Sequence, residues 1–239
     1  DRMPEFAAAH LGVPMEKVDF VLEGGSVDFD GLGAVLTTEQ CLLHPNRNPG
    51  MDKRGVEGVL RRWFGVKRVI WLGRGIEGDD TDGHIDDVAR FVAPRTVVAV
   101  VEPDPADPNH AILEDNLARL KKAKDALGRP LRVIPLPMPE PLEEENPVPG
   151  HEAFRSPASY ANFYIGNKCV LVPVFKQKRD AEALRILRRV FPRRKVVGID
   201  CRAVASDMTK LGYNGFAVVE QDILPGLGSP LESAKRNRE

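Results

Sequence analysis

One pattern recurs three times along these 239 residues, and it leaves few folds open. A strand-like stretch, Lys17–Phe29, meets the hairpin signal Asp30-Gly31 and returns as Ala34–Thr37, with Cys41–Leu43 as its expected extension. Asp52 then opens a helix with Val56, Val59, Leu60, Trp63 and Phe64 on one face. Gly65 ends that helix, and the apolar strand Lys67–Leu72 follows. The second round has strands His84–Val92 and Thr96–Glu102. Its helix is capped by Asn109, carries Ile112, Leu113, Leu117 and Leu120, and ends by Gly128; the strand Leu131–Pro137 follows. The third pairs Ser159–Ile165 with Cys169–Phe175 about Gly166-Asn167, with Pro173 at an edge or bulge. Asp180 opens its helix through Leu184, Leu187 and Phe191, and Lys195–Asp200 closes the unit.

The single strands end at Leu72, near Leu136 and near Asp200, about 64 residues apart. Units of this kind predict an α/β fold with blades around an axis, where functional residues collect. Three blades leave such a ring open, and a plain three-layer α/β sandwich is the alternative. Residues 3–12 read as the end of a helix closed by Gly12, and the text from Arg2 reads as already inside a domain. Residues 138–158 read as a loop, and past Asp200 the pattern decays apart from a short expected strand, Phe216–Val219.

Composition excludes several classes. Lys and Arg total 34 against 35 Asp and Glu, which gives no basic footprint for nucleic acid. No apolar run reaches the length of a membrane span, and no signal peptide is visible. Three scattered cysteines, at 41, 169 and 201, fit a reducing, cytoplasmic setting rather than a disulfide framework.

Against this background the stretch from Gly73 to Phe91, GRGIEGDDTDGHIDDVARF, stands out. It holds Asp79, Asp80, Asp82, His84, Asp86 and Asp87 within nine residues, directly after an apolar strand. His84 and Asp86 are two apart, so on an extended strand they point the same way; this predicts a strand if the pair acts together. The same residues also fit a plainer role as loop and cap residues, with a histidine satisfied by a neighbouring acid. A metal site is less favoured, since no second histidine or cysteine lies at ligand spacing. Glu23 in LEGGS and Tyr160 with Asn162 in SYANF are further candidates, with a strand-end bulge and a half-buried aromatic strand as their plainer readings.

Taken together these phrases resemble the agmatine deiminases and bacterial-type peptidylarginine deiminases of the guanidine-modifying (pentein) superfamily. The resemblance rests on LEGGS at 22–26, the run from Leu42 to Pro49 ending in NRNP, and DDTDGHID with its continuation to Phe91. It extends through SYANFYIGN at 159–167, VPVF at 172–175 and the stretch from Phe191 to Asp200. It implies a pentein-type five-bladed α/β propeller, of which this chain holds about three blades. The whole chain, 1–239, then reads as one partial deiminase domain with an irregular, divergent segment 201–239.

The implied reaction hydrolyses a guanidinium to a ureido group and ammonia, for agmatine a step towards putrescine. By the resemblance, His84 is the acid and base, Asp86 and Glu23 are catalytic carboxylates that also grip the substrate, and Asp80 assists binding. No cofactor and no metal is implied, and the expected partner is a small guanidinium cation, with a homodimer as the expected assembly.

Two parts of the family's machinery have no counterpart here. An Arg-Asp-Thr-Gly-Pro motif would precede Asp1. The nucleophile's Gly-Gly-Gly-x-x-His-Cys motif falls where this chain reads AVASDMTKLGYNG. Cys201 stands ahead of that place and is a weak candidate nucleophile; Cys41 and Cys169 read as structural, and His44 replaces a usual asparagine. The readings left open are an altered agmatine deiminase, a non-catalytic guanidinium or amine binder, and a peptidyl-arginine deiminase.

Overall fold

A computed structural model of the chain describes residues 3–144 and 154–202. The readings of the 203–239 segment, including Phe216–Val219, lie outside the described residues, as does the middle of the Pro/Glu-rich stretch. The elements run α1 (Met3–Leu11), β1 (Asp28–Phe29), β2 (Ala34–Thr38), α2 (Glu39–Leu42), α3 (Lys53–Phe64) and β3 (Arg68–Leu72). Then come β4 (Ala89–Ala93), β5 (Thr96–Val101), α4 (Asn109–Lys122) and β6 (Arg132–Pro137). The short β7 (Glu143–Glu144) and β8 (Phe154–Arg155) pair with each other. The last unit is β9 (Tyr164–Ile165), β10 (Cys169–Val174), α5 (Lys178–Val190) and β11 (Lys195–Asp200). Two 3-10 turns, Gly24–Ser26 and Ile85–Asp87, stand apart from these.

The threefold recurrence is real in the topology. Three sheets have the same plan: β1-β2-β3, β4-β5-β6 and β9-β10-β11. In each, the first two strands are antiparallel, and a helical crossover returns the third parallel to the second. The parallel pairs align Ala34 with Arg68, Thr96 with Arg132 and Cys169 with Lys195. A parallel return needs a crossover of a dozen or more residues, which the helices supply.

Local chemistry explains the helix ends. Asp52 accepts from Gly55 N (2.8 Å) at the start of α3, a cap worth about 1 kcal/mol. Gly65, at φ +65°, closes α3 in the left-handed conformation. At α5, Asp180 accepts from Gln177 N (3.1 Å) and also from Tyr160 Oη (2.5 Å), which ties the helix start to SYANF.

The three units share one core. Leu36 and Leu72 from the first, Val97, Val98 and Leu136 from the second, and Val170, Val172 and Leu187 from the third all belong to it. β2 is buried along its whole length: Ala34 and Leu36 enter this core, while Val35 joins a second cluster with Cys41, Leu42, Val56 and Leu60 beneath α3. Arg90 bridges all three units. Its Nε donates to Asp28 Oδ1 (2.7 Å), its Nη1 donates to Phe163 O (3.1 Å), and its guanidinium lies 5.0 Å from the Phe163 ring centre.

Several local expectations are corrected. Lys17–Phe29 is not a strand apart from its last two residues, because the chain turns at Gly24–Ser26. Cys41–Leu43 does not extend β2; Thr38 caps a helical turn there by accepting from Cys41 N. Val56 and Leu60 form the buried stripe of α3, while Trp63 and Phe64 are exposed, Phe64 stacking on Phe29. Asn109 does not cap α4: its side chain is buried and accepts from Glu77 N (2.7 Å). The segment Ser159–Phe163 is not strand, although Tyr160 is fully buried. Pro173 lies in the middle strand of its sheet, yet β9 ends its pairing at Leu171, so no ladder is broken there.

Candidate active site

His84 does not lie on a strand. It precedes the 3-10 turn Ile85–Asp87, in which Val88 N donates back to Ile85 O (3.0 Å). The acidic run wraps around a single carboxylate. Asp79 accepts from Thr81 N (2.8 Å), Gly83 N (2.9 Å) and His84 N (3.0 Å), and from the Thr81 hydroxyl. A side chain that gathers this many donors competes with a sheet ladder and curls the backbone instead. Asp82 and Gly83 both take positive φ in that curl, at 59° and 91°. At Gly83 a side chain has no room, since an added Cβ would lie 2.8 Å from Gln40 Oε1 and 2.9 Å from Gly75 N.

The expected partnership nevertheless forms, by a different route. His84 is buried, with its Nε2 3.8 Å from Glu23 Oε2 and its Nδ1 4.0 Å from Asp86 Oδ1. The LEGGS and DDTDGHID turns lie against each other, which brings the two carboxylates to opposite nitrogens of one imidazole. The LEGGS turn is pinned to β2, as Ser26 Oγ donates to Glu23 O (2.6 Å) and Thr37 Oγ1 donates to Ser26 O (2.8 Å). Asp80 is exposed. Within its loop it is Asp79 that organises the backbone and Asp82 that reaches Arg47.

Arg47 is the residue that sequence reasoning passed over. It sits in the NRNP run, and its side chain is 8% exposed. Its Nε donates to both carboxylate oxygens of Glu23 (2.9 and 2.8 Å). Nη1 donates to Asp82 Oδ2 (3.0 Å), and Nη2 to Thr81 O (2.5 Å). The visible signal was an arginine between two asparagines in an otherwise loop-like stretch, and nothing local separates that from a solvent-facing cation. His44 also reaches Asp82, with Nε2 3.5 Å from Oδ1.

Cys41, which reads as structural in the sequence, also lies beside these side chains. Its helical turn buries it beside the site, and donor atoms of Glu23, Cys41 and His84 all lie within 4.8 Å of one another. No local spacing could reveal this, because the three come from separate segments. Thr38 makes the link: its hydroxyl accepts from Cys41 N (3.1 Å) and donates to Gly83 O (2.5 Å), next to His84. Burial pushes the Cys41 thiol up to about 12, with Glu23, Asp79 and Asp82 adding to the rise and Arg47 opposing it. Burial and then Asp200 push the Cys201 thiol up as well, and its backbone N–H is spent on Val174 O (3.0 Å). Neither environment favours the thiolate that a nucleophile needs.

One further acid is unusual. Asp87 is buried, and burial, reinforced by Asp86 and Asp79, holds its carboxyl well above the usual carboxylate range. Asn162 Nδ2 donates to its Oδ1 (3.0 Å), and Ser159 Oγ donates to its backbone carbonyl (2.7 Å). The SYANF phrase therefore serves to hold the backbone behind the His84 turn. Among the described residues, no helix is long and apolar enough to cross a membrane.

The agmatine deiminase of Medicago truncatula is 40% identical over 201 residues, covering 79% of this chain and 54% of that protein. The C. jejuni agmatine deiminase with substrate bound superposes with a TM-score of 0.76 at 35% identity, over 90% of this chain and 59% of that one. The Enterococcus faecalis agmatine deiminase gives a TM-score of 0.78 at 37% identity, over 84% and 58% respectively. The chain thus spans less than two thirds of each relative's length. The model of the Porphyromonas-type peptidyl-arginine deiminase family matches residues 1–211, and with that extent of match the chain belongs to this family.

Proposed function

We propose that this chain carries the guanidinium-binding and proton-transfer part of an agmatine deiminase, a hydrolase that turns agmatine and water into N-carbamoylputrescine and ammonia. The observation that carries the reading is the convergence of Glu23 and Asp86 on the two nitrogens of a buried His84. A guanidinium is flat, cationic and resonance-stabilised, so its carbon is a poor electrophile. Carboxylates placed on its N–H groups hold it by paired, charge-assisted hydrogen bonds. Glu23 and Asp86 are the carboxylates for that task. His84 takes a proton from water as the water oxygen bonds to the guanidinium carbon, then gives that proton to the nitrogen whose bond to the carbon breaks, so that ammonia leaves and a ureido carbonyl remains. The relatives' names favour agmatine over peptidyl-arginine, and the acidic surroundings suit a small cation. The repeated three-stranded units are consistent with three of the five blades of a pentein-type α/β propeller, the site lying where blades meet.

A second reading is favoured by the cysteines. With the Cys41 and Cys201 thiols both pushed up, the described residues supply binding and acid–base groups without an activated nucleophile. The chain would then bind agmatine without turning it over. Calorimetric titration with agmatine, beside assays for ammonia and N-carbamoylputrescine, separates the two. Binding that is lost in Glu23→Gln supports both; turnover decides for the enzyme. No binding at millimolar agmatine by folded protein overturns both.

A further inference from the structure

The cluster of Glu23, Cys41 and His84 has a composition that a guanidinium site does not require. A buried thiol adds nothing to the grip on a cationic N–H fork. Together with a carboxylate and an imidazole, however, it makes a ligand set for a borderline-soft divalent ion. We propose that Glu23, Cys41 and His84 form a binding site for a thiophilic divalent cation of the zinc class, sharing two side chains with the proposed guanidinium site.

The distances suit this. Zinc binds sulfur at about 2.3 Å and imidazole nitrogen or carboxylate oxygen at about 2.0–2.2 Å. On a tetrahedral ion such donors stand about 3.4–3.6 Å apart. His84 Nε2 and Glu23 Oε2 are 3.8 Å apart, and all three donor atoms fall within 4.8 Å. Closing the set takes side-chain shifts of roughly 1 Å, well within rotamer adjustment. The second nitrogen is also in place: His84 Nδ1 faces Asp86 Oδ1 at 4.0 Å, the carboxylate that a metal-binding imidazole usually leans on. Three protein donors leave the fourth position open for water, as in exchangeable sites.

The charges balance. On binding, the Cys41 S–H bond breaks, its proton leaves to solvent, and a sulfur–metal bond forms in its place. Thiolate and Glu23 then neutralise the two charges of the ion. Arg47, which shares Glu23, is itself offset by Asp82 (3.0 Å). Thr38 holds the Cys41 turn against the residue preceding His84, so the donors are positioned by the fold.

The site uses Glu23 and His84, so a bound ion and a bound guanidinium exclude each other. Cation binding itself does not rest on the deiminase reading. Failure to bind agmatine leaves the metal inference standing, and failure to bind metal leaves agmatine binding standing.

The test uses cobalt(II) on the untagged chain, because cobalt–thiolate bonds give a charge-transfer absorption that nitrogen and oxygen ligands lack. The double variant Cys169→Ser/Cys201→Ser keeps Cys41 as its only thiol. The expected result is a band saturating at one cobalt per chain in both wild type and this variant, lost in Cys41→Ser and displaced by zinc. Asp86→Asn should weaken binding by about 10- to 100-fold with the band retained. If the folded double variant gives no band at millimolar cobalt, or if the band persists in Cys41→Ser, the inference is overturned.

Discussion

Arg47 donates through Nε to both carboxylate oxygens of Glu23, so one of the two candidate substrate carboxylates already holds an internal guanidinium. This pair fixes the orientation of Glu23, and the rest of the Arg47 fork fixes the loop that leads to His84.

Arg47→Ala should therefore cost stability as well as ligand affinity. It leaves Glu23 and Asp82 side by side without their shared cation. Breaking a buried pair costs about 3–5 kcal/mol, and the partial exposure of Glu23 reduces this to roughly 2 kcal/mol. Urea unfolding midpoints check this. Stability equal to wild type would show that the pair is not structural.

Thr38→Val keeps the shape and removes both ends of a hydrogen-bonded link. Cys41 N loses its acceptor and Gly83 O its donor, both in buried surroundings. A loss of about 1–3 kcal/mol is expected, together with weaker agmatine binding. Thermal unfolding and calorimetry measure the two. Destabilisation with binding left intact would mean that the link does not position His84.

Gly83→Ala should be more damaging than an exposed glycine change. The residue has φ +91°, and its Cβ would press on Gly75 and Gln40. About 1–3 kcal/mol of strain is expected, with the His84 turn displaced. Gly58→Ala, at a helical position with open space, is the control and should be neutral or stabilising. Equal effects for the two would contradict the close packing described at Gly83.

Asp87 makes a pH-dependent contribution. Its folded-state pKa is raised well above 3.8, so above that pH the unfolded chain has lost a proton that the folded chain still holds. Stability from this group therefore falls as pH rises from about 4 towards the folded pKa. Asp87→Asn removes the slope and keeps an acceptor for Asn162. The variant should gain on wild type as pH rises above about 4 in denaturant titrations, and the gain should level off once the folded carboxyl has ionised. Parallel curves for the two proteins would count against a protonated Asp87.

How much could be read locally varied with the kind of signal. Capping and turn residues were legible: Asp52 and Gly65 bracket α3, Gly12 closes α1, and Lys195–Asp200 is a strand to its last residue. The strand expected at His84 failed because Asp79 draws three backbone N–H groups around itself, a contact that period-two reasoning does not register. Asn109 failed as a cap because its side chain is taken by Glu77 N, 32 residues away in sequence. Arg47 and Cys41 carried no local mark of their roles.

The order of hairpin, helix and strand, repeated three times, follows from short-range chemistry, since apolar period, caps and turns act within a few residues. The same applies to which segments concentrate acids around a histidine. What required the folded chain was the meeting of Glu23, Cys41, Arg47 and His84. Those residues come from three separate segments, and their distances depend on how the turns pack against β2. Hydrogen bonds such as Thr38 to Gly83 exist only once the core has brought distant backbone together.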